Sequence, residues 1–426
     1  MRLRLAALAA LASASCTNVH AQAPEPFTLD DAFARVAEAH PELRLLGARG
    51  EVLRAERDSA VLRPALAVGA SIENAFGSGE ARGLRSAEIS LTLASVLERG
   101  GKLDARRTLA EDRIDALAPE REGKRLDLLA EVARRYLAIV AAREQHTIAR
   151  ADVEERRRAV EAATRRLHAG ASPASVKLAA EAALARAELD VARAAQQADA
   201  AHRHLAALWG DENPAPAEVA GDPLLLPEVP AFAQLAEWLQ RTPEIARFAG
   251  EQRVREARLQ LARSAATPDL EWQLGVRRFE AGDDVGLVAS VSIPLGASQR
   301  AEPGIRAAQA ELVALEIERE AKGASLYSTL VDADGRYRVA RLEVARLAND
   351  VLPRLSEAEA AAARAYRAGA TSHLEWAQLL SEHASARRQQ LDAAIEAQRA
   401  LIEIQRLTGQ PFVLAGASRS DAGAMP

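Results

Sequence analysis

The sequence predicts a mostly helical chain with four β-strands, laid out as two tandem copies of one plan. Its strands can close into a barrel only when several copies associate. Three observations predict this: a self-similarity at an interval of about 200 residues, four segments in which apolar and polar residues alternate, and two helical stretches too long for any soluble core. The composition agrees, because aromatics make up only 4% of the 426 residues and charged residues 27%. Ala, Leu, Arg and Glu dominate, and these residues lose little side-chain freedom in a helix. No segment beyond the leader reaches the roughly 18 apolar residues a spanning helix needs, so a membrane crossing would have to use strands. The net charge of −5, with Arg interspersed among Glu and Asp, leaves no footprint for nucleic acid. It reads as solvated helix faces with local ion pairs.

Residues 1–21 have the form of a secretory signal. Arg2 and Arg4 precede a short apolar run from Leu5 to Ala14, and Val19-His20-Ala21 offers a small-x-small cleavage site. Cleavage there removes Cys16, the only cysteine, and with it any disulfide or thiolate site. The alternative is a lipoprotein acylated at Cys16, although Ser13 stands where such a motif usually has Leu.

The repeat is carried by four matches in the same order. His40-Pro41-Glu42 answers to Thr242-Pro243-Glu244, Arg63-Pro64-Ala65-Leu66 to Thr267-Pro268-Asp269-Leu270, Leu167-His168-Ala169-Gly170-Ala171-Ser172 to Tyr366-Arg367-Ala368-Gly369-Ala370-Thr371, and Leu208-Trp209-Gly210 to Leu407-Thr408-Gly409. The first repeat is expected over residues 22–210 and the second over 231–410. A Pro-rich connector joins them over 211–230, and a disordered tail is expected over 411–426. Each repeat reads as helix, two strands, very long helix, tight turn and return helix. The first helix begins near Thr28, which can cap it with Asp31 three residues on, and Pro64 ends the pattern.

The strands are expected at about 65–76, 85–96, 269–279 and 284–295. Leu66, Val68, Ala70 and Ile72 share one face of the first, and Ile89, Leu91 and Leu93 one face of the second. Leu270, Trp272, Leu274 and Val276 share one face of the third, and Val285, Leu287, Ala289, Val291 and Ile293 one face of the fourth. Small and polar residues fill the positions between. About ten residues suffice to cross a bilayer at a tilt, and apolar-out, polar-in alternation suits a membrane barrel with a wet lumen. The apolar sets are therefore the lipid-facing candidates, with Phe76, Trp272 and Phe279 as interfacial anchors. A soluble sandwich is the rival reading, but two hairpins separated by long helices have no second layer to pack on. Four strands cannot close, and open edges are not tolerated in hydrocarbon. Closed cyclic symmetry supplies the missing strands: three copies give twelve, whereas two give eight and little room for a pore.

Helical periodicity resumes after Gly100-Gly101 and runs to about Leu167, with Pro119 and Gly123 as bends. At 1.5 Å per residue, such a rod of about 65 residues spans roughly 100 Å. A second rod runs from about Ile305 to Arg367, with Gly323, Gly335 and Pro353 as weak points. Each rod reverses at a glycine. Gly170 suits a left-handed cap, followed by Ser172 as N-cap and Pro173 in the first helical position. Gly369 does the same, followed by Ser372 with Glu375 three residues later. The Ala-rich return helices are expected over about 174–208 and 374–407.

The duplicated plan, the four isolated strands and the two Ala-Gly-Ala-Ser/Thr tips resemble the TolC-like outer-membrane efflux family. The resemblance covers about Phe27 to Gln410, and its most specific stretch is Ala365 to Ser372. Within that family the sequence looks most like the channels paired with heavy-metal cation pumps. The resemblance implies a homotrimer whose twelve-stranded barrel sits in outer-membrane lipid and continues as a periplasmic twelve-helix tube. It implies tips at Gly170, Ala171, Ser172, Gly369, Ala370, Thr371 and Ser372 that face a periplasmic adaptor and, through it, an inner-membrane pump of the proton-driven resistance-nodulation-division type. It further implies a channel constriction at Glu375. The family's next acidic position falls here on Gln378, a departure that argues against a double acidic ring. Glu375 can equally serve in a capping box with Ser372.

No Gly-rich phosphate loop follows a strand, and no catalytic triad or carboxylate pair stands out. The chain is therefore expected to be a passive conduit, with no cofactor and no resident metal. His202 and His204 point to different sides of a helix, and His373 and His383 lie on one return helix with no third ligand evident. Drug efflux and type I protein secretion use ducts of the same shape. A periplasmic adaptor would need one helical hairpin with compact β domains, and an envelope coiled coil would leave the four strands unexplained.

Overall fold

The computed structural model describes residues 26–215 and 218–414. The expected signal segment with Cys16, and the chain beyond Leu414, lie outside the described residues. The first half runs α1 (Leu29–Ala39), α2 (Pro41–Ala60), β1 (Ala67–Glu73), β2 (Glu88–Leu97), α3 (Lys102–Asp115), α4 (Leu117–His168) and α5 (Ala174–Ala206). The second half repeats that order as α6 (Phe232–Leu239), α7 (Pro243–Ser264), β3 (Leu270–Phe279), β4 (Asp284–Ser292), α8 (Ala297–Arg346), α9 (Leu352–Ala368) and α10 (His373–Thr408). No helix among the described residues is long and apolar enough to cross a membrane.

The opening helix of each half is two helices rather than one. His40 and Thr242 adopt extended backbone, with ψ of 127° and 155°, because each precedes a proline that disfavours the helical region. Thr28 caps α1 as expected: its hydroxyl accepts the Asp31 N–H at 3.2 Å while the Asp31 carboxylate accepts the Thr28 N–H at 3.0 Å.

The rods are broken where proline lacks its N–H. Pro119 cannot donate to the carbonyl of Asp115, the residue at which α3 ends. Gly123 lies inside the 52-residue α4 without breaking it. In the second rod a π-type turn over Leu347–Val351 separates α8 from α9, just before Pro353. Gly323 and Gly335, expected as weak points, lie within the 50-residue α8. Along the body of α5, Ala180, Ala187 and Ala194 are buried at a seven-residue interval that makes a narrow coiled-coil seam against α4.

Two apolar cores hold the rods near their middle, one per half, and each centres on a tyrosine. Tyr136 is fully buried among Leu29, Val36, Leu137 and Leu205, with its hydroxyl 2.7 Å from the carbonyl oxygens of Phe27 and Ala220. Tyr337 is buried among Leu235, Leu239, Leu330 and Leu401, and its hydroxyl donates to the Pro227 carbonyl. Both tyrosines thus grip the connector, which is a fitted strap rather than a loose link. Phe27 and Val219 form a parallel bridge, Arg143 donates to the carbonyls of Val219 and Gly221 at 2.5 Å, and the buried Gln398 donates to Leu225 at 3.1 Å. The tail expected to be disordered from residue 411 begins packed: Phe412 and Leu414 are buried in the first core, and Phe412 lies 6.1 Å from the Phe33 ring. Apolar side chains at those two positions account for the difference.

The strands form one antiparallel sheet in the order β1-β2-β3-β4, so β2 and β3 join the two halves. β1 is shorter than expected because Asn74 and Phe76 take positive φ of 53° and 59° and turn the chain away. β4 stops at Ser292, two residues before Pro294. Glycine at 275 is required by close approach, since a Cβ there would collide with the Leu91 carbonyl and the Thr92 side chain.

An ion cluster ties four helices together beside the second core. Arg406 of α10 meets Asp127 of α4 at 2.9 Å, Glu244 of α7 at 2.7 Å and Glu403 at 2.9 Å; Lys322 of α8 also reaches Glu244 at 2.9 Å. Burial pushes the Glu244 and Glu403 carboxyls up, but Lys322 and Arg406 beside Glu244, and Arg406 and Arg134 beside Glu403, outweigh it and hold both below the usual carboxylate range. A depressed carboxylate pKa contributes stability that is present above its unfolded value and lost as pH falls through the folded one. Arg406→Met should therefore destabilise by about 2–3 kcal/mol at neutral pH, because it strands partly buried carboxylates. Thermal melting across pH should show the gap from wild type closing in acid, and a gap that widens in acid would refute this account.

Candidate functional site

Two regions carry the expected functional residues: the sheet and the helical tips. Across the sheet, directly opposed residues lie on one face, and the register aligns apolar rows over all four strands. Val68 faces Leu93, Leu93 faces Leu274 and Leu274 faces Ala289; Ala70, Leu91, Val276 and Leu287 form the next row. Trp272 faces Val291 on that side. Arg278, opposite Ile89 and Val285 near the hairpin end, and Ser95, opposite Trp272, interrupt it. This face is bare. Val68 is 74% exposed, Leu287 83% and Val291 65%, and Ile72, Ile89, Leu91, Leu93, Leu274 and Val276 are exposed as well. Trp272 and Leu270 are half-buried, while Leu66 and Ile293 lie exposed just outside their strands. The opposite face is polar. There Arg277 lies 2.7 Å from Glu88 and 3.6 Å from Glu73 and donates to the Ser90 hydroxyl at 2.9 Å.

Both tips are built alike. Gly170 and Gly369 take left-handed φ of +69° and +80°. The Ala171 N–H donates to Arg166 and the Ala370 N–H to Ala365, both at 2.8 Å, while each glycine N–H reaches the carbonyl three residues back. This paired pattern closes a helix C-terminus on a left-handed residue. Gly170, Ala171, Gly369, Ala370 and Ser372 are exposed; Ser172 and Thr371 are half-buried.

The helix starts that follow differ. Ser372 caps α10 by accepting the Glu375 N–H at 3.2 Å. The Glu375 carboxylate, however, accepts the Thr371 hydroxyl rather than the Ser372 N–H, so the reciprocal half of a capping box is not made. Ser172 does not cap α5. That helix begins at Ala174 with Pro173 in the cap position, because Pro173 itself is extended, with ψ of 157°.

Sequence reasoning missed what joins the tips. Arg166, near the end of α4, lies 4.8 Å over the Tyr366 ring, donates to the Tyr366 carbonyl at 2.6 Å and reaches the Ala171 carbonyl at 3.3 Å. Tyr366 packs on Trp376 and His373, with ring centres at 5.3 Å and 5.6 Å, over Ala159, Ala162, Ala362 and Ala363. Burial pulls the His373 imidazole below its ordinary pKa. Arg166 falls among the arginines read as solvated helix faces, because its aromatic partner Tyr366 comes from the other repeat.

A second grouping was also missed. His383 of α10 is 3% exposed, and its Nδ1 lies 2.6 Å from Glu359 of α9. Glu155 of α4 joins them, its carboxyl pushed up by burial and by the charge of Glu359, with Arg387 at 3.7 Å pulling the other way. The expectation that His383 has no companions fails because these come from two other helices.

Arg166→Ala should loosen both tips together. Amide exchange over residues 166–171 and 366–372 is expected to rise about tenfold, the size of one charge-assisted contact, while the sheet amides stay unchanged. Faster exchange at one tip alone would show that Arg166 does not couple them.

Comparison with known proteins agrees with this architecture. A family model described as outer membrane efflux protein matches residues 34–211. The chain is similar to the cobalt-zinc-cadmium resistance protein CzcC of Cupriavidus metallidurans, being 30% identical over 279 residues that make up 66% of this chain and 67% of that protein. It is 31% identical to protein CyaE of Bordetella pertussis over 239 residues, 55% of this chain and 50% of the relative, so it spans about half the length of that protein. A crystal structure of CusC shares the fold with a TM-score of 0.75 at 17% identity, covering 90% of this chain and 92% of that one. Four strands in one antiparallel sheet, long paired helices and these relatives lead to one conclusion: the chain belongs to the outer membrane efflux protein family, whose members are non-enzymatic outer-membrane channels with a periplasmic helical extension.

Proposed function

We propose that three copies of the chain join around one axis into an exit duct that passively conducts heavy-metal cations. Each copy would add its four strands to a twelve-stranded barrel and its helices to a periplasmic twelve-helix tube. The observation that carries this reading is the sheet itself, which combines an apolar face bare in register with outer edges on β1 and β4 that have no partner strand among the described residues. Placed in lipid, the face is satisfied and the edges are not, so β4 of one copy must pair with β1 of the next. The helices make the same demand. Val313, Ile317, Tyr327, Val331, Val339 and Leu342 leave an exposed apolar stripe along α8, at helical spacing, which a neighbouring copy would cover.

The polar face, with its Arg277–Glu88–Glu73 group, would line a wet lumen. The tips would meet a periplasmic adaptor, with energy supplied by an inner-membrane pump of the proton-driven resistance-nodulation-division type. Likeness to a cobalt-zinc-cadmium resistance protein supports metal cations as the cargo. Glu375, exposed beside its tip with its carboxylate accepting the Thr371 hydroxyl, is the constriction residue in this reading. Three such carboxylates around one axis would favour cations.

Gly369→Pro tests the tip. Proline cannot take φ of +80°, so export of metal cations from cells should be lost while the heat-modifiable trimer still appears in the outer-membrane fraction. Normal export by this variant would remove the tip from the mechanism, and a soluble monomeric wild type would overturn the duct. Glu375→Gln should lower the cation preference of single channels in planar bilayers, and unchanged selectivity would leave Glu375 only its part at the α10 N-terminus.

A further inference from the structure

Between the tips and the connector, three helices bring metal-ligating side chains to one point. Glu155 comes from α4, Glu359 from α9 and His383 from α10, with one donor atom from each lying within 4.8 Å of the others. The side chains are well enclosed, at 13%, 16% and 4% exposure. Ligands held tetrahedrally by a zinc-sized ion are about 3.4 Å apart, so a shift of about 1 Å would close this set around one. A second observation points to a cation ligand set here. Asp152, one turn before Glu155 on the same face of α4, is 4% exposed, and its Oδ1 is buried with no hydrogen-bond partner. Its other oxygen is taken by Arg156 at 3.0 Å. Three carboxylates are thus gathered against two guanidinium groups, Arg156 and Arg387, and one imidazole.

We propose that Glu155, Glu359 and His383 form a resident binding site for a divalent transition-metal cation of the zinc or cobalt type. One imidazole nitrogen and two carboxylates suit these borderline ions better than magnesium or calcium, which prefer all-oxygen shells. Three protein ligands leave a fourth position for water. Arg387, 3.7 Å from Glu155, is the built-in competitor. The site would clamp α9, which the π-type turn separates from α8, onto α4 and α10 two turns above the Tyr366 cluster. Occupancy would thereby stiffen the tip. The site does not depend on which cargo the duct carries.

The test uses the full chain, purified in detergent as the assembled protein, stripped with chelator and titrated with Co²⁺ alone. Visible ligand-field absorption should saturate at one Co²⁺ per chain and be reversed by Zn²⁺. His383→Gln and Glu359→Gln should each weaken binding at least about tenfold, and His202→Gln should leave it unchanged. Arg387→Gln should tighten it, because the competing guanidinium is gone, and this gain cannot arise from misfolding. Absence of saturable absorption, or equal affinity in wild type and His383→Gln, overturns the proposal. If His383→Gln fails to assemble, Arg387→Gln decides, and unchanged or weaker affinity in that variant overturns it.

Discussion

Each peptide group in a strand needs a hydrogen-bond partner, and hydrocarbon offers none from solvent. Within the sheet, β2 and β3 are satisfied on both sides, while β1 and β4 each keep one side without a partner strand among the described residues. Much of the rest of the molecule can be read as a response to that deficit. The two halves of the chain meet at β2 and β3, so one polypeptide delivers four contiguous strands rather than two separate hairpins. Two central apolar rows, through Leu91–Val276 and Leu93–Leu274, run across that junction, which no arrangement with the halves apart would produce. In the proposed duct, pairing between copies closes the ladder.

The rods need a different kind of restraint. Helices such as α4 cannot be held straight by a globular core, and the narrow alanine seam on α5 contributes little apolar area per turn. The chain compensates at mid-length, where the strap between the halves is gripped by Tyr136, Tyr337, Arg143 and Gln398. The arrangement uses backbone carbonyls of the strap as acceptors for side chains of the rods, so the strap is satisfied without forming a sheet of its own. The ion cluster around Arg406 sits in the same zone and binds α4, α7, α8 and α10 laterally.

What could be read from the amino-acid order was whatever depends on local rules. Alternation located all four strands, and the glycines at 170 and 369 located both reversals, because period and positive φ are properties of neighbours in sequence. Boundaries were less legible where two local rules compete, as at Ser172-Pro173, where capping preference lost to the extended backbone of the proline. The division at His40-Pro41 went unread although His40-Pro41-Glu42 marked the repeat. The contacts that stayed invisible join distant positions through the rotation of long helices. Arg166 reaching Tyr366, and Glu155 reaching Glu359 and His383, depend on the relative rotation of rods packed side by side, and nothing within a short window of residues encodes that.

The two rods are interrupted at opposite ends. In the first, the break at Ala116 lies close to the strands, leaving α4 continuous down to Gly170; in the second, the π-type turn at Leu347–Val351 lies nearer Gly369 and cuts off the 17-residue α9. A wall made from these chains would therefore alternate rigid struts with jointed ones. Any movement at the tips of the proposed duct would be borne by the jointed member of each pair, with Arg166 as the latch between them. The repeat gives two hairpins of one plan, and the breaks beside Pro119 and Pro353 place their joints differently.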